Sequence, residues 1–219
     1  MFGNINLHRA KQTATQRKGR EKDAEAAEDT EEPKHVQRSW RKPSFHRSQV
    51  PGKAYGSAIH AAMQYIHYDA CGSLEEIRAE VQRLADRGFL TQEQAQIVNC
   101  EAIADFFSTE LGKKLRSGTP YIREFKFSIL DEGSRYGAGL QEEEVLLQGV
   151  VDCALMEADG ITVLDFKTDH VTEETLPAVV ERYRPQVEAY GDALRRIYEM
   201  PVKAMYLYFF HLGRFVELS

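Results

Sequence analysis

The sequence predicts an α/β domain built on a mixed central sheet flanked by helices, with a helical part on its N-terminal side. Three observations lead there. Apolar residues recur at helical spacing from residue 54 to about 117, strand-like alternation and short apolar runs fill residues 121 to 168, and a second helical stretch precedes a last apolar run, Val202 to Phe210.

The first 47 residues stand apart. They carry 11 Lys and Arg against 7 Asp and Glu, net +4, with almost no large apolar residue between Lys11 and Lys34. That composition reads as a charged linker, disordered or fraying as helix, with a basic arm on DNA as the functional alternative. Residues 48 to 219 carry 17 against 27, net −10, and are read as one domain. An acidic domain binds duplex DNA poorly by itself, which argues against a stand-alone DNA-binding module. No apolar run approaches the roughly 18 residues of a membrane span and no signal-peptide core is present, so a cytoplasmic protein is expected. Cys71, Cys100 and Cys153 are widely spaced, without a C-x-x-C pair, and read as reduced packing residues.

Within the domain, Ala54 to Tyr68 places Ala58, Ile59, Ala62, Met63 and Ile66 on one helical face, with His60 inside the segment. Ser73 to Arg87, closed by Gly88, and Thr91 to Phe107, opened by a capping Thr, are two further helices, followed by a turn near Ser117-Gly118. Tyr121 to Leu130 alternates, with Tyr121, Arg123, Phe125, Phe127 and Ile129 on one side and Ile122, Glu124, Lys126 and Ser128 on the other. Residues 145–158 and 161–168 are β-rich and flank Asp159-Gly160, a hairpin turn signal. Glu173 to Glu181 and Arg184 to Met200 are helical, with Pro185 tolerated in a first turn. Phe215 to Leu218 is expected to return beside Val202 to Phe210, a strand buried on both sides.

The hairpin carries the chemistry. A two-residue loop at Asp159-Gly160 sets Ala158 opposite Ile161, Asp152 across from Lys167 and Ala154 across from Asp165, so the three polar residues share one face. Two carboxylates on a diagonal roughly 7 to 8 Å apart can converge on one cation. Val151, Cys153, Leu155, Leu164 and Phe166 then form the core face. Each feature has a plainer reading. Asp-x-Lys is commonly a solvated strand end, His60 a structural histidine, Glu124 a surface partner of Lys126, and Gln186 with Tyr190, four apart on one helix face, an ordinary helix surface.

Taken together, Gly56-Ser57-Ala58-Ile59-His60, Gly149-Val150-Val151-Asp152, Leu164-Asp165-Phe166-Lys167 and Gln186-Val187-Glu188-Ala189-Tyr190 resemble the G-x-x-x-H, G-x-x-D, D-x-K and Q-x-x-x-Y elements of RecB-like nucleases in the PD-(D/E)XK superfamily, in the same order. The resemblance covers roughly residues 43 to 219. It is strongest to the nuclease domain at the C-terminal end of the helicase–nuclease subunit of bacterial recombination complexes. It implies a restriction-endonuclease-like core and cleavage of DNA, mainly single strands, with Mg2+, or Mn2+ as a substitute. The implied ligands are His60, Asp152, Asp165 and the carbonyl of Phe166. Lys167 is implied beside the attacking water as a stabilising cation, Gln186 and Tyr190 on the substrate side, and Glu124 where relatives often carry an acidic residue. A helicase domain in the same parent polypeptide, or a second helicase–nuclease subunit, is the implied partner. No G-x-x-x-x-G-K-[ST] loop occurs, so ATP-driven unwinding is not expected from this chain. No cysteine follows Cys153, so the iron–sulfur cluster of some relatives is not expected either. A catalytically silent scaffold or recruitment domain of the same fold is the alternative, disfavoured by the complete His60, Asp152, Asp165 and Lys167 set.

Overall fold

The computed structural model describes residues 11–13, 51–133 and 144–218. The helical part comes first. Helix α1, Pro51–Tyr65, ends three residues before the expected Tyr68, and a short 3-10 turn follows at Tyr68–Ala70. The reason lies on a distant strand: the Arg123 guanidinium takes the carbonyls of Met63 (3.2 Å) and Ile66 (2.7 Å), capping the helix end. Helix α2, Leu74–Asp86, opens with a reciprocal capping box between Ser73 and Glu76.

The single helix expected from Thr91 to Phe107 is two: α3, Gln92–Ile97, and α4, Cys100–Ser108. Val98 leaves the helical region (φ −64°, ψ 121°) and turns into the core, and the Asn99 side chain accepts the Ala102 N–H at 2.9 Å to start α4. An asparagine able to cap competes with helix continuation, which a periodicity reading does not register. In place of the expected turn stands α5, Glu110–Arg116, capped by Thr109.

The strands are β1, Lys11–Thr13; β2, Tyr121–Glu132; β3, Glu144–Glu157; β4, Gly160–Lys167; β5, Val202–Phe209; and β6, Arg214–Glu217. β3 is the hub. One edge pairs antiparallel with β2 along nearly its whole length; the other takes β4 antiparallel over Cys153–Glu157 and β1 parallel over Leu146–Gln148. β5 runs parallel to β4 and β6 antiparallel to β5, giving the mixed sheet that was expected. Of the segment read as a linker, only β1 lies within the described residues. β5 departs from expectation in being fully buried only over its second half.

Helix α6 runs unbroken from Leu176 to Tyr198, where two stretches were expected, and Pro185 sits inside it. An interior proline costs about 3 kcal/mol. The buried stripe Val180, Tyr183, Val187, Tyr190 and Leu194, packed on the sheet, offsets it.

Two cores result. One face of the sheet packs Cys153, Leu155, Leu164, Phe166, Tyr208 and Phe210 against α1 to α5. The other packs Leu147, Ala154, Ile161, Val163, Leu207 and Phe209 against α6. Val151, expected beside Cys153, lies instead in the α6 core. The three cysteines are free thiols, and burial pushes Cys71 and Cys153 up to about 12, so both stay un-ionised.

One buried charge fastens the helical part. Glu80 accepts the His67 N–H at 2.8 Å and two Arg83 N–H groups at 2.7 Å each, while Arg83 also donates to the Tyr65 carbonyl at 3.1 Å. Burial alone would raise its carboxyl, but the Arg83 and His67 hydrogen bonds outweigh burial and hold it at about 2. The folded value lies below the unfolded one, so this stabilisation is complete above the ordinary carboxylate value and is lost as pH falls toward 2. Glu80→Ala should cost about 2 kcal/mol in urea unfolding at pH 7, a loss that shrinks at pH 3. An equal loss at both pH values would show that the carboxylate charge is not what holds α1 to α2.

Candidate active site

The site forms where β3 and β4 part. The β3–β4 turn is Ala158-Asp159, with Glu157 opposite Gly160, not the expected Asp159-Gly160. Neither turn residue has positive φ; Gly160 takes it instead (φ 143°), where a Cβ would stand 2.7 Å from the Pro201 carbonyl. The register therefore differs by two residues, with Ala154 opposite Val163. A two-residue shift preserves the facing of every side chain. Carried on, it would oppose Asp152 and Asp165, but the ladder ends at Cys153–Leu164. In the gap the Asp152 side chain takes the place of strand pairing, its Oδ2 accepting the Phe166 N–H at 2.9 Å.

A second irregularity brings Glu124 in. In the β2–β3 ladder the pairs Arg123–Cys153 and Phe125–Val151 are formed, while Glu124, between them, has φ 46°. Side-chain alternation flips there. Tyr121 packs against the α1–α5 core, but Ile122 and Phe125, three apart, both pack against the α6 core, as do their partners Ala154 and Val151. This flip explains the altered place of Val151 and corrects the single alternation expected for β2. A non-glycine residue at positive φ costs on the order of 1–2 kcal/mol and persists only when its surroundings enforce it. Here it aims Glu124 and Asp152 at the same space. His60 arrives from α1, and one ligand-type atom from each of His60, Glu124 and Asp152 lies within 4.8 Å of the others. His60 Nδ1 is 3.6 Å from Asp152 Oδ2.

Asp152 is pushed well above the ordinary carboxylate range. Burial is the largest cause; His60 opposes it, Asp165 adds to it, and Lys167 and the Phe166 N–H oppose it. Asp165 does not join the three-residue group. It is 1% exposed and its Oδ2 is paired with the Lys167 ammonium, itself 7% exposed. Both project to the α6 side, beside Leu207 and Phe209, their partners on β5.

From α6, Gln186 Nε2 donates to the Tyr190 hydroxyl at 2.6 Å, and Gln186 Oε1 is buried without a hydrogen-bond partner among the described residues. Burial, then the charges of Asp165 and Asp152, raise the Tyr190 phenol, so it stays protonated. The pair is buried, which replaces the helix-surface reading. Gly149 makes room for it: an added Cβ would stand 2.7 Å from the Phe127 ring and 3.0 Å from Tyr190 Cε1. Gly149→Ala should therefore cost about 1–3 kcal/mol through overpacking, read by urea unfolding. An unchanged midpoint would mean that the rings yield freely.

Sequence reasoning missed three residues. Tyr183 lays its ring 3.8 Å beneath the Lys167 ammonium. Asp169 accepts the Tyr183 hydroxyl through both oxygens, at 3.0 and 2.8 Å. Arg123 stacks 4.4 Å over Tyr68 while capping the helix that bears His60. For Tyr183 the signal was present, since it shares a helix face with Gln186, Val187 and Tyr190.

A buried carboxylate–lysine pair and a His–Glu–Asp group at the split of a mixed sheet define a nuclease of the PD-(D/E)XK class. The profile of the PD-(D/E)XK nuclease superfamily matches residues 34–215, and the chain belongs to that superfamily. Its curated relatives are ATP-dependent helicase/nuclease proteins of the AddA type. The protein of Bacillus cereus (strain AH820) is 33% identical across 100% of this chain and 18% of its own length. That of Clostridium novyi (strain NT) is 33% identical across 82% and 15%, and that of Thermoanaerobacter sp. (strain X514) 37% across 74% and 14%. The chain thus spans less than a fifth of the length of these relatives. The crystal structure of SSO0001 aligns with 78% of this chain and 77% of its own at 12% identity and a TM-score of 0.34, too weak a likeness to add to the fold above. Among the described residues no helix is long and apolar enough to cross a membrane.

Proposed function

We propose that this nuclease domain hydrolyses DNA phosphodiesters with a divalent cation, Mg2+ or Mn2+ in its place. We further propose that it prefers single strands, degrades them as an exonuclease, and serves as the nuclease portion of a cytoplasmic helicase–nuclease in double-strand-break processing and recombinational repair. The observation that carries this reading is the convergence of His60, Glu124 and Asp152 within 4.8 Å. The donor set fits the cation: two carboxylates and an imidazole suit Mg2+ or Mn2+ when oxygens fill the remaining positions. Asp165 and the Phe166 carbonyl are proposed as further ligands. In an extended strand a residue's N–H and C=O point to the same edge, and the Phe166 N–H points at Asp152.

A cation bound there would polarise the phosphate and lower the pKa of water. The protein's own groups do the rest. Lys167, held by Asp165 and the Tyr183 ring, presents a fixed positive charge to the negative charge that develops on the phosphate. Gln186 and Tyr190 present an amide and a phenol to the strand. Asp165, Lys167 and Gln186 are each at most 8% exposed, so the scissile phosphate must enter a recess. A single strand bends into a recess more readily than a duplex. The net charge of −10 over residues 48–219 implies weak, salt-sensitive DNA affinity, so a helicase that delivers the strand complements it.

The test is cleavage of an end-labelled single strand and its duplex, with Mg2+, Mn2+ or EDTA, with and without the helicase partner. Metal-dependent loss of the single strand ahead of the duplex is expected. No cleavage under any metal or partner condition would favour the silent scaffold.

A further inference from the structure

We propose that Tyr183 is a positioning residue for Lys167: its ring is the platform that fixes the direction of the ammonium, and Asp169 fixes the ring. This rests on the nuclease reading above, with Lys167 acting as a cation in the chemistry. Lysine has a four-carbon stem with free rotation, so a useful point charge needs more than one restraint. Asp165 is one, pairing with Nζ within the same strand. It cannot alone set the direction of the ammonium, because an ammonium donates in any of three rotatable directions. The Tyr183 ring is the second, with Nζ 3.8 Å from its centroid and the ring 5% exposed within the α6 core. A ring face attracts a cation most where water is excluded, as it is beside a lysine 7% exposed.

The ring is itself tied down. Its hydroxyl reaches both oxygens of Asp169, and Arg182 holds the same carboxylate at 3.2 Å. Asp169 lies two residues beyond Lys167 on the segment leaving β4. The strand that carries the lysine and the helix that covers it are thus joined on either side of the ammonium. A leucine at 183 would fill the core and supply no attraction; a phenylalanine would keep the platform and lose only its tether.

Tyr183→Leu, Tyr183→Phe and Lys167→Ala, with each double variant, would be compared in cleavage of a labelled single strand under saturating Mn2+. Tyr183→Leu should lower kcat about thirty-fold, about 2 kcal/mol of barrier at 1.36 kcal/mol per factor of ten, with KM little changed. Tyr183→Phe should recover most of that loss. In the Lys167→Ala background Tyr183→Leu should lower the rate no further. NMR supplies a signature free of catalysis: ring current should shift the Lys167 ε-methylene protons upfield in the parent and in Tyr183→Phe, and the shift should vanish in Tyr183→Leu. Absence of that shift in the parent overturns the proposal whatever the rates. So does an equal loss in the Phe and Leu variants, or an undiminished loss in the Lys167→Ala background. A parent that shows the shift and never cleaves overturns the nuclease reading while leaving the platform standing.

Discussion

Asp152→Asn is expected to lower DNA cleavage about a thousandfold or more, about 4 kcal/mol of barrier, while raising the melting temperature of the metal-free domain. The two effects have one cause. Asparagine keeps the shape and can still accept the Phe166 N–H, so the seam between β3 and β4 survives. What disappears is a buried negative charge that faces Asp165 and gives up only part of its cost to His60 and Lys167. The sign follows from the folded carboxyl lying at about 7, above its unfolded value. Ionising Asp152 opposes folding, the penalty growing as pH rises from the ordinary carboxylate range to about 7. The gain in melting temperature should be largest near pH 8, roughly 3 °C per kcal/mol recovered, and vanish toward pH 4. A cation reverses the balance. At about one hundred times its Kd it stabilises the parent by about 2.7 kcal/mol, and that rise should be mostly absent from the variant. Because the carboxyl must lose its proton to bind, the parent's affinity should climb with pH through about 7. Thermal shift with and without Mn2+ at pH 5 and pH 8, beside cleavage assays, checks all of this. Near-parental cleavage by the variant would remove Asp152 from the site.

How much of this site was legible depended on parity. A hairpin around residue 159 was readable from β-rich runs flanking Asp-Gly. The choice of turn was not, because it depends on the φ values taken by Ala158, Asp159 and Gly160. The turn settled on Ala158-Asp159, where Gly160 supplies positive φ just after it and leaves room for the Pro201 carbonyl. The shift was of two residues, so the facing of Asp165 and Lys167 was unaffected; one residue would have turned both into the helical core. Glu124 illustrates the opposite case. Nothing in Arg123-Glu124-Phe125 announces a positive φ at a glutamate, and simple alternation misplaces Val151 and Ile122 as a result. The flip is a tertiary effect, with Arg123 drawn to the end of α1 and Phe125 to the α6 core. Pro185 is similar: local propensity argues for a break, and the buried stripe of α6 overrides it.

Lys167→Ala is expected to lower cleavage about a hundred- to a thousandfold through loss of charge stabilisation and, unlike Asp152→Asn, to weaken the metal-free fold. Asp165 is 1% exposed and Lys167 is the cation paired with it. Removing one partner of a buried pair leaves the other charge uncompensated, which typically costs about 3–5 kcal/mol. The loss should be smaller with Mn2+, because His60, Glu124 and Asp152 remain to bind it and a nearby cation compensates Asp165. Removing both charges separates folding from chemistry. Lys167→Ala with Asp165→Asn should recover most of the lost stability, since no bare charge is left in the core, and recover none of the cleavage. Urea unfolding with and without Mn2+, beside cleavage of a labelled single strand, distinguishes the outcomes. If Lys167→Ala cuts at a near-parental rate, the lysine serves only the fold. If the double variant is no more stable than Lys167→Ala, the buried charge of Asp165 is not the source of the loss, and packing of the lysine stem against Tyr183 is the better account.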